Sequence, residues 1–460
     1  MRKKYDFYAY NTPTSGKYFV NGAEYFCGED FRSAKRYKEY KNCGFNVLLL
    51  QHENSYSGED FESSECNKCM TEAYKAGVKK IIVSDSRIKD LCIEENLVGD
   101  NGRFKTLNEL KECLTEYINP YKNKGGFYGL QLFDEPRWFH IKSYGLVYRT
   151  LKEIMPAIYL QCNLNPLAEA DILAEKSTDV FDAYEQYLNF FLDETGADSI
   201  TFDEYPFRRN YIICGYSLRT YQIASKVCKE RNVELHAVFQ SFSCMHKGRL
   251  VHRRITEKDM YWQINLGLGF GCREFSFFTY FTKQTVELDG GVSTDGVDGA
   301  ALVNRDGSRT VLYYVVKKII KELKAFAPVA LTHRFKDFYL SFGGNVKNTD
   351  LMQTEFALRG EKLPYDFKIS DGALLVTRSV GEQSELYMAE NINNVKDEIF
   401  NGKKYELKVE LPLGTEIWYK GRMLCLTQNK EFVSELKTGE ALFFKIIKKK
   451  DIFYESGRVK

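Results

Sequence analysis

Residues 126–136 read Gly-Phe-Tyr-Gly-Leu-Gln-Leu-Phe-Asp-Glu-Pro, and residues 199–206 read Ser-Ile-Thr-Phe-Asp-Glu-Tyr-Pro. In each stretch an apolar run of strand length leads into two adjacent acids, and a proline follows. Proline cannot donate a hydrogen bond to a β-ladder, so it ends the strand and leaves the acids at the strand's carboxyl end. The pairs Asp134–Glu135 and Asp203–Glu204 are therefore predicted to occupy equivalent positions on two strands.

These two stretches belong to a longer alternation of short apolar runs and helical patterns. The candidate strands are Tyr5–Tyr10, Asn46–Leu50, Lys80–Ser84, Phe127–Phe133, Ile158–Cys162, Ser199–Asp203, Leu235–Gln240 and Glu274–Tyr280. Helical patterns cover Phe31–Cys43, Asn67–Ala76, Leu107–Tyr121, Phe181–Thr195, Ser217–Arg231, Lys258–Leu268 and Thr310–Phe326. Connections of helical length force neighbouring strands to run parallel. This α/β pattern predicts a (β/α)₈ TIM barrel for residues 1–327.

A different pattern begins at Pro328. Short runs rich in β-branched and aromatic residues follow at Leu374–Thr377, Glu385–Ala389, Tyr405–Leu411, Thr415–Tyr419 and Ala441–Ile447. Turn pairs such as Asp371-Gly372 and Asn401-Gly402 separate them. The pattern is typical of antiparallel sheets and predicts a smaller all-β sandwich domain for residues 328–460. The Gly- and Asp-rich stretch 289–307 is predicted to be a loop over the active face.

The bulk composition is that of a globular protein and excludes several partners. The 460 residues include 65 Lys and Arg against 63 Asp and Glu, which gives a net charge of +2 without a basic stripe. We therefore expect no nucleic acid partner. No apolar run approaches the ~18 residues of a membrane span, and the N-terminus has no signal-peptide core, so we expect no membrane association. Twelve cysteines without a signal predict free thiols and a cytoplasmic location.

Sequence motifs for cofactors are absent. No Gly-x-Gly-x-x-Gly follows the first strand and no Walker loop occurs, which counts against nucleotide-binding folds. Cys66-x-x-Cys69 is the one close cysteine pair, and neither a second pair nor a histidine lies near it at zinc-ligand spacing. We expect no metal and no cofactor.

The alternation of side chains along the fourth strand predicts which acid faces the barrel interior. Residues on the outer face must be apolar because they meet the surrounding helices, whereas inner residues can be small or polar. One face carries Tyr128, Leu130 and Leu132, and the other carries Gly129, Gln131, Phe133 and Glu135. The second set suits the interior, so Glu135 is predicted to point into the barrel mouth and Asp134 away from it.

The same argument applied to the sixth strand selects Asp203. Ile200 and Phe202 suit the outer face, which leaves Thr201, Asp203 and Tyr205 on the inner one. Asp203, rather than Glu204, is then expected to face Glu135, although a bulge before the proline would reverse the assignment. A single Asp-Glu-Pro is commonly a turn or helix start. Two such motifs at one edge of a barrel favour a site.

Other residues at or just beyond the strand ends could hydrogen-bond a sugar or wall a pocket. Amides, hydroxyls and aromatic rings at these positions suit sugar hydroxyl groups, but the same residue types also cap loops and pack against helices. The candidates for substrate binding are His52, Asp134, Trp138, Asn163, Tyr205, Gln240 and Tyr280.

The chain resembles the clan of (β/α)₈ glycoside hydrolases that includes β-galactosidase-like enzymes and uncharacterised bacterial relatives. Residues 126–136 resemble their fourth strand, which ends in the acid/base Glu before Pro, and 262–280 resemble their eighth-strand segment. Residues 301–323 are similar to their last loop and helix, and the tail from 331 is similar to an appended β-sandwich. The resemblance implies a carbohydrate substrate and an acid/base role for Glu135.

The seventh strand departs from this family pattern. The family takes its nucleophile from a Glu at the end of that strand, whereas this chain reads His236-Ala-Val-Phe-Gln-Ser-Phe242, with Gln240 and no acid. Either Asp203 or Glu204 supplies the second carboxylate, or hydrolysis has been lost. Asp134 also replaces the Asn that usually precedes the acid/base Glu.

The sequence thus predicts a glycosidase that acts on a small oligosaccharide or glycoside through Glu135 and either Asp203 or Glu204. Tips two strands apart start roughly 9 Å from each other, a span compatible with both the retaining and the inverting arrangement. Two alternatives stand beside this hypothesis. One is a non-catalytic carbohydrate-binding barrel, favoured by the missing seventh-strand acid. The other is a metal-dependent barrel hydrolase, for which only His52 lies near a strand end.

Overall fold

The computed structural model describes residues 4–20, 23–167, 179–209, 212–246, 249–282, 285–286, 292–293, 301–344, 363–393 and 403–448. All eight strands predicted before residue 327 are present, together with short strands that the sequence patterns did not indicate. The strands of this part are β1 (Asp6–Ala9), β2 (Lys17–Val20), β3 (Ala23–Phe26), β4 (Leu48–Leu50), β5 (Ile81–Ser84), β6 (Phe127–Gln131), β7 (Tyr159–Gln161), β8 (Ser199–Glu204), β9 (Glu234–Gln240), β10 (Cys244–His246), β11 (Arg249–His252), β12 (Cys272–Phe278), β13 (Thr285–Val286) and β14 (Val292–Ser293).

Helices connect most of these strands. The described α-helices are α1 (Ala34–Cys43), α2 (Glu65–Lys75), α3 (Ser86–Cys92), α4 (Leu107–Ile118), α5 (Ile141–Ile154), α6 (Val180–Thr195), α7 (Cys214–Arg231), α8 (Glu257–Gly269) and α9 (Val311–Ala330). Helices α3 and α5 are absent from the sequence prediction. Gly145 interrupts the helical sequence pattern of α5. An added β-carbon there would lie 2.4 Å from the Glu194 carbonyl oxygen, so this glycine permits close packing of α5 on α6.

The strands that alternate with helices form two parallel sheets. Their orders are β4-β5-β6-β7 and β8-β9-β12-β1, and every pairing within them is parallel. Backbone contacts join the two sheets at both edges. The amides of Asn46 and Val47 donate to the Phe7 carbonyl oxygen at 3.0 and 3.2 Å. At the other edge Leu164 forms a parallel bridge with Phe202.

The inner faces of the two sheets share one core, which we call the interior cluster. It consists of Tyr8, Tyr10, Val47, Leu49, Ile82 and Val238. These residues come from or adjoin β1, β4, β5 and β9, so both sheets contribute to it. A larger apolar core lies between the outer faces of the sheets and the helices.

A bulge in β6 overturns one expected side-chain orientation. The register between β5 and β6 shifts by one residue near the start of β6. The Tyr128 ring consequently packs against the interior cluster and stacks on Tyr159 at 5.1 Å. Its predicted place on the outer face beside Leu130 and Leu132 is wrong, because alternation does not carry across a bulge. Leu130 and Leu132 lie in the larger outer core.

The C-terminal part consists of antiparallel strands. They are β15 (Arg334–Gly343), β16 (Lys368–Ile369), β17 (Gly372–Val380), β18 (Ser384–Asn391), β19 (Lys404–Glu410), β20 (Glu416–Tyr419), β21 (Arg422–Leu426), β22 (Glu431–Lys437) and β23 (Ala441–Ile447). They form a six-stranded sheet in the order β15-β17-β18-β23-β20-β21 and a three-stranded sheet in the order β16-β19-β22. A separate apolar core joins residues of both sheets, as in a sandwich.

Helix α9 leads from the parallel part into the antiparallel part. It continues through Pro328, the residue at which the domain boundary was expected, and ends at Ala330. The Phe326 ring near its end contacts Phe443 at 4.7 Å and Trp418 at 5.7 Å. Most of the loop expected at 289–307 lies outside the described residues.

Candidate active site

Backbone hydrogen bonds bring the two acidic motifs to the same edge of the molecule. The amide of Glu135 donates to the Asn163 carbonyl oxygen at 2.8 Å, and the amide of Leu164 donates to the Thr201 carbonyl oxygen at 2.8 Å. The segment after β7 therefore lies between the ends of β6 and β8. Both motifs lie at the carboxyl ends of parallel strands, where loops of such folds carry functional groups.

Asp203 and Glu204 lie on opposite faces of β8. Asp203 is in register with Val238 of the interior cluster, so its side chain points inward. Glu204 points to the helix side, where it accepts a hydrogen bond from Ser217 Oγ of α7 at 3.1 Å. Both side chains are buried. Glu204, one of the two candidates for the second acid, is therefore separated from the interior by its own strand.

The charges of the first motif act directly on Asp203. Burial raises its pKa well above the ordinary value, and the negative charges of Glu135 and then Asp134 raise it further. Hydrogen bonds with Tyr205 and Asn163 oppose that shift by stabilising the charged form. Burial and the neighbouring negative charges thus favour the protonated form of Asp203. We call Asp134, Glu135 and Asp203 the carboxylate cluster.

Asp134 lies at the open side of this cluster. Asp134 retains exposed surface, but the surrounding protein atoms partly desolvate its carboxyl group. That desolvation raises the pKa of Asp134 to about 6, against the positive charge of Lys89 and a hydrogen bond with Asn163. Asn163 thus lowers the pKa of two of the three carboxyl groups, and its carbonyl oxygen accepts the hydrogen bond from the Glu135 amide.

Glu135 has an unusual backbone. Its φ angle is 50°, in the left-handed region that side chains other than glycine rarely occupy. Such a conformation costs roughly 1 kcal/mol or more and persists where the surroundings enforce it. Here the bond from its amide to Asn163 and the following proline fix the turn. The side chain itself is exposed at the mouth.

Three buried glutamines below the carboxylate cluster were missed as site residues by the sequence reasoning, although alternation had placed Gln131 on the inner face. Gln51 Nε2 donates to Gln131 Oε1 at 2.9 Å, and Gln161 Nε2 donates to the Tyr10 hydroxyl at 2.9 Å. Lys89 Nζ reaches Gln131 Oε1 at 3.4 Å. The available signal was a polar residue that ends, or directly follows, an apolar strand. Because Oε1 of Gln51 and of Gln161 and Nε2 of Gln131 have no partner in the described part of the chain, this layer retains hydrogen-bonding capacity.

Three of the predicted substrate-binding residues are occupied elsewhere. Trp138 packs against Tyr187 and Phe190, so its ring helps to hold α6 in place. Gln240 is fully buried and bonds the backbone of Phe207 in both directions. Tyr280 is buried among aromatic rings between β12 and the helices. In each case the side chain packs against other rings or bonds the backbone, although its position near a strand end suggests a place in the site.

His52 begins the 3₁₀ turn His52–Asn54 and is exposed, with a φ angle of 53°. Asp134, Glu135, Asn163, Asp203 and Tyr205 are the predicted residues that the structure brings together.

Metal-binding clusters and membrane-spanning helices are both absent from the described part of the chain. Within the described residues, no group of three or more His, Cys, Asp or Glu side chains is arranged to hold a metal ion. Among the helices of that same part, none is both long and apolar enough to cross a bilayer. Cys66 and Cys69 are buried free thiols in α2, and the Cys69 thiol bonds Asn54 Oδ1 at 3.4 Å.

Comparison with known proteins finds similarity in fold alone. No family model matches the chain, and no curated protein matches it. A family 5 glycoside hydrolase from Bacteroides vulgatus superposes with a TM-score of 0.51 and 9% identity, covering 91% of this chain and 85% of that one. A GH30 endoxylanase from Clostridium papyrosolvens gives a TM-score of 0.40 at 12% identity, with coverages of 90% and 92%.

A β-galactosidase from the psychrophilic Marinomonas ef1 gives a TM-score of 0.44 at 10% identity, covering 65% of this chain and 58% of that one. The chain thus spans little more than half the length of that β-galactosidase. The fold resembles that of the family 5 glycoside hydrolase, which confirms the predicted resemblance at the level of fold.

Proposed function

We propose that the protein is a glycoside hydrolase whose active centre is the carboxylate cluster. The observation that carries this proposal is the convergence of the two acidic motifs at the carboxyl ends of β6 and β8, which backbone bonds through Asn163 and Leu164 hold at one edge of the molecule. Glycosidases need one carboxyl group that holds a proton near neutral pH and a second that is ionised. A buried acid beside an exposed one satisfies that requirement.

The proposal includes a closed (β/α)₈ barrel for the parallel part of the chain. Backbone contacts at both seams between the two sheets support closure, as does the interior cluster built from both sheets. In such a barrel the carboxyl-end loops surround one site. The carboxylate cluster then lies at the centre of that mouth, above a floor made of the buried glutamines.

We assign the proton of the unliganded site to Asp203. Burial and the neighbouring negative charges raise its pKa, whereas Glu135 is exposed to water. Asp203 would donate its proton to the glycosidic oxygen as the bond to the anomeric carbon breaks. Glu135 would attack that carbon, or take a proton from the water that attacks it. This order reverses the roles that the family resemblance implies.

The substrate class proposed is a small glycoside or oligosaccharide. Buried amide groups that both donate and accept hydrogen bonds suit neutral sugar hydroxyl groups. We further propose a cytoplasmic location, because all twelve cysteines are free thiols, as in proteins of reducing compartments.

A panel of aryl glycosides incubated with the purified protein tests the activity. The active substrate should lose turnover by a factor of at least ~10³ in the Glu135→Gln variant, since a group in contact with the reacting atoms is removed. Circular dichroism and a thermal melt establish that the variant is folded. Turnover within a few-fold of the wild type in a folded Glu135→Gln variant would refute the assignment.

A non-catalytic carbohydrate-binding protein is the second candidate. It is favoured by Gln240, which occupies the end of β9 with its amide bonded to the Phe207 backbone and leaves no acid there. This candidate predicts glycan binding by calorimetry without release of reducing sugar. It also predicts that binding survives in Glu135→Gln. If the wild-type protein neither binds nor hydrolyses any glycan tested, both candidates are eliminated.

A further inference from the structure

A cavity lies at the seam between the parallel and antiparallel parts, far from the carboxylate cluster. It is lined by the carboxyl end of α7, the first residues of β9 and β12, and the start of β15. Its volume is about 150 Å³, room for several water molecules at about 30 Å³ each. Because it opens at the amino ends of the parallel strands, it is on the opposite face from the proposed active centre.

Three cationic side chains line this cavity. Arg273 donates to the carbonyl oxygens of Ala330 and His333, Lys229 Nζ donates to the Lys336 carbonyl oxygen at 3.1 Å, and Arg334 donates to Asn232 Oδ1. All of these acceptors are neutral. None of the three cations forms an ion pair within the described residues, whereas most other arginines of that part do.

The charges around the cavity do not balance. Among the described residues, Glu234 is the sole carboxylate that lines it, and one of its oxygens is 3.3 Å from His236 Nε2. Helices α7 and α9 both end nearby, and each helix carboxyl end carries roughly half a negative charge. Three cations against one carboxylate and two such ends leave an excess of about one positive charge.

The two arginines also repel each other. Burial lowers the pKa of Arg273, and the positive charge of Arg334 lowers it further, against the influence of Tyr5 and Glu234. Two guanidinium groups facing one cavity are stabilised when a shared anion lies between them, since oxyanions accept several charge-assisted hydrogen bonds at once. The unused N–H groups of Arg334 and Lys229 supply donors for such an anion.

We propose that this cavity is a binding site for a phosphate group, held by Lys229, Arg273 and Arg334 and bridging the two parts of the chain. The anion is either free inorganic phosphate or the terminal group of a small phosphomonoester. Arg334 opens β15, while Lys229 and Arg273 belong to α7 and β12, so the bound group would tie the start of the antiparallel part to the parallel part. The site is independent of the proposed hydrolytic function.

Calorimetry and thermal melts of the full-length protein test this proposal. Inorganic phosphate, glycerol phosphate and sodium chloride are titrated separately at matched ionic strength. Phosphate is expected to bind and to raise the melting temperature, while chloride does not. A stronger effect of glycerol phosphate would identify a phosphomonoester as the ligand, and a stronger effect of inorganic phosphate would identify the free ion.

The variants Arg334→Gln and Lys229→Gln are each expected to weaken phosphate binding about tenfold, the effect of losing one charge-assisted hydrogen bond. Both side chains are exposed, so their removal spares the core. Arg422→Gln, which removes an exposed arginine from β21, is the matched control and should bind as the wild type does. A phosphate effect no larger than that of chloride, or one equal in all variants, would overturn the site.

Discussion

Asp203 and Glu204 are adjacent and almost equally buried, yet β8 directs Asp203 to the carboxylate cluster and Glu204 to Ser217 of α7. The pKa of Glu204 is shifted as well. Burial raises it to about 7, although hydrogen bonds with Thr220 and Ser217 act to lower it. A raised pKa alone therefore does not identify the functional acid. The direction of the side chain relative to Glu135 distinguishes the two.

This geometry predicts opposite outcomes for two neighbouring substitutions. Asp203→Asn should lower kcat/KM by a factor of at least ~10² because the proton donor is lost. Glu204→Gln should leave kcat/KM within a few-fold of the wild type, since the amide oxygen can still accept the bond from Ser217. Both are measured on the active aryl glycoside. A larger loss in Glu204→Gln than in Asp203→Asn would contradict the assigned orientation.

Tyr205 is predicted to set the alkaline limit of activity. Its hydrogen bond with Asp203 lowers the pKa of that carboxyl by stabilising the charged form. Removing the hydroxyl in Tyr205→Phe should therefore raise the pKa of Asp203, so the proton is retained to higher pH. The alkaline limb of the pH profile of kcat/KM should move upward.

Tyr184→Phe provides the control for that profile. The Tyr184 hydroxyl is buried and has no hydrogen-bond partner in the described part of the chain. Its removal should leave the alkaline limb in place. An unchanged limb in Tyr205→Phe, or a downward movement, would show that Asp203 is not the group whose deprotonation ends activity.

The strands and the orientation of Asp203 could be predicted because both follow from short-range rules. Each strand is an apolar run that ends at a turn or a proline, and alternation along an unbroken strand assigns faces. Alternation placed Asp203 inward, as found, and failed at Tyr128, where a bulge shifts the register. A bulge depends on the neighbouring strand, which sequence alone does not identify.

The rest of the site could not be predicted from the sequence, because it depends on contacts between segments that lie far apart along the chain. Gln240 ends a strand as a binding residue would, but the backbone of Phe207, from another loop, satisfies its amide. Conversely, the pairing of Gln51 with Gln131 joins residues eighty positions apart. No local sequence pattern indicates which polar residue at a strand end will bond another segment of the same chain and which will face the mouth.

A substitution of Trp138 distinguishes a role in packing from a role in substrate binding. Its ring stacks on Phe190 at 5.5 Å with an interplanar angle of 26°, and the edge contact with Tyr187 is 5.8 Å. Trp138→Ala should lower the free energy of unfolding by about 2 kcal/mol, less than for a fully buried tryptophan because the ring is half-buried. Urea unfolding measures this loss, and KM should change little. A large rise in KM with unchanged stability would instead make Trp138 a substrate contact.

Glu390 is predicted to make the stability of the protein fall as the pH rises. It is completely buried on β18, both carboxylate oxygens lack a partner within the described residues, and burial raises its pKa well above the ordinary value. The folded protein therefore retains a proton that the unfolded chain releases above about pH 4.3. Stability is full below that pH and is lost as the pH rises through the folded pKa. Glu390→Gln should remove this dependence and gain about 1–3 kcal/mol in urea unfolding at high pH.

Glu385 on the same strand supplies a control of opposite sign. Although partial burial acts to raise the pKa of Glu385, hydrogen bonds from Arg378 and Tyr387 lower it overall, and Arg378 Nη2 lies 2.6 Å from its Oε1. Its stabilisation is present above about pH 4.3 and disappears as the pH falls through the folded pKa. Glu385→Gln should thus destabilise the protein at neutral pH by about 0.5 kcal/mol, because solvent screens the pair, and have no effect in acid. Equal pH dependence in both variants would mean that neither carboxyl has the protonation state assigned to it here.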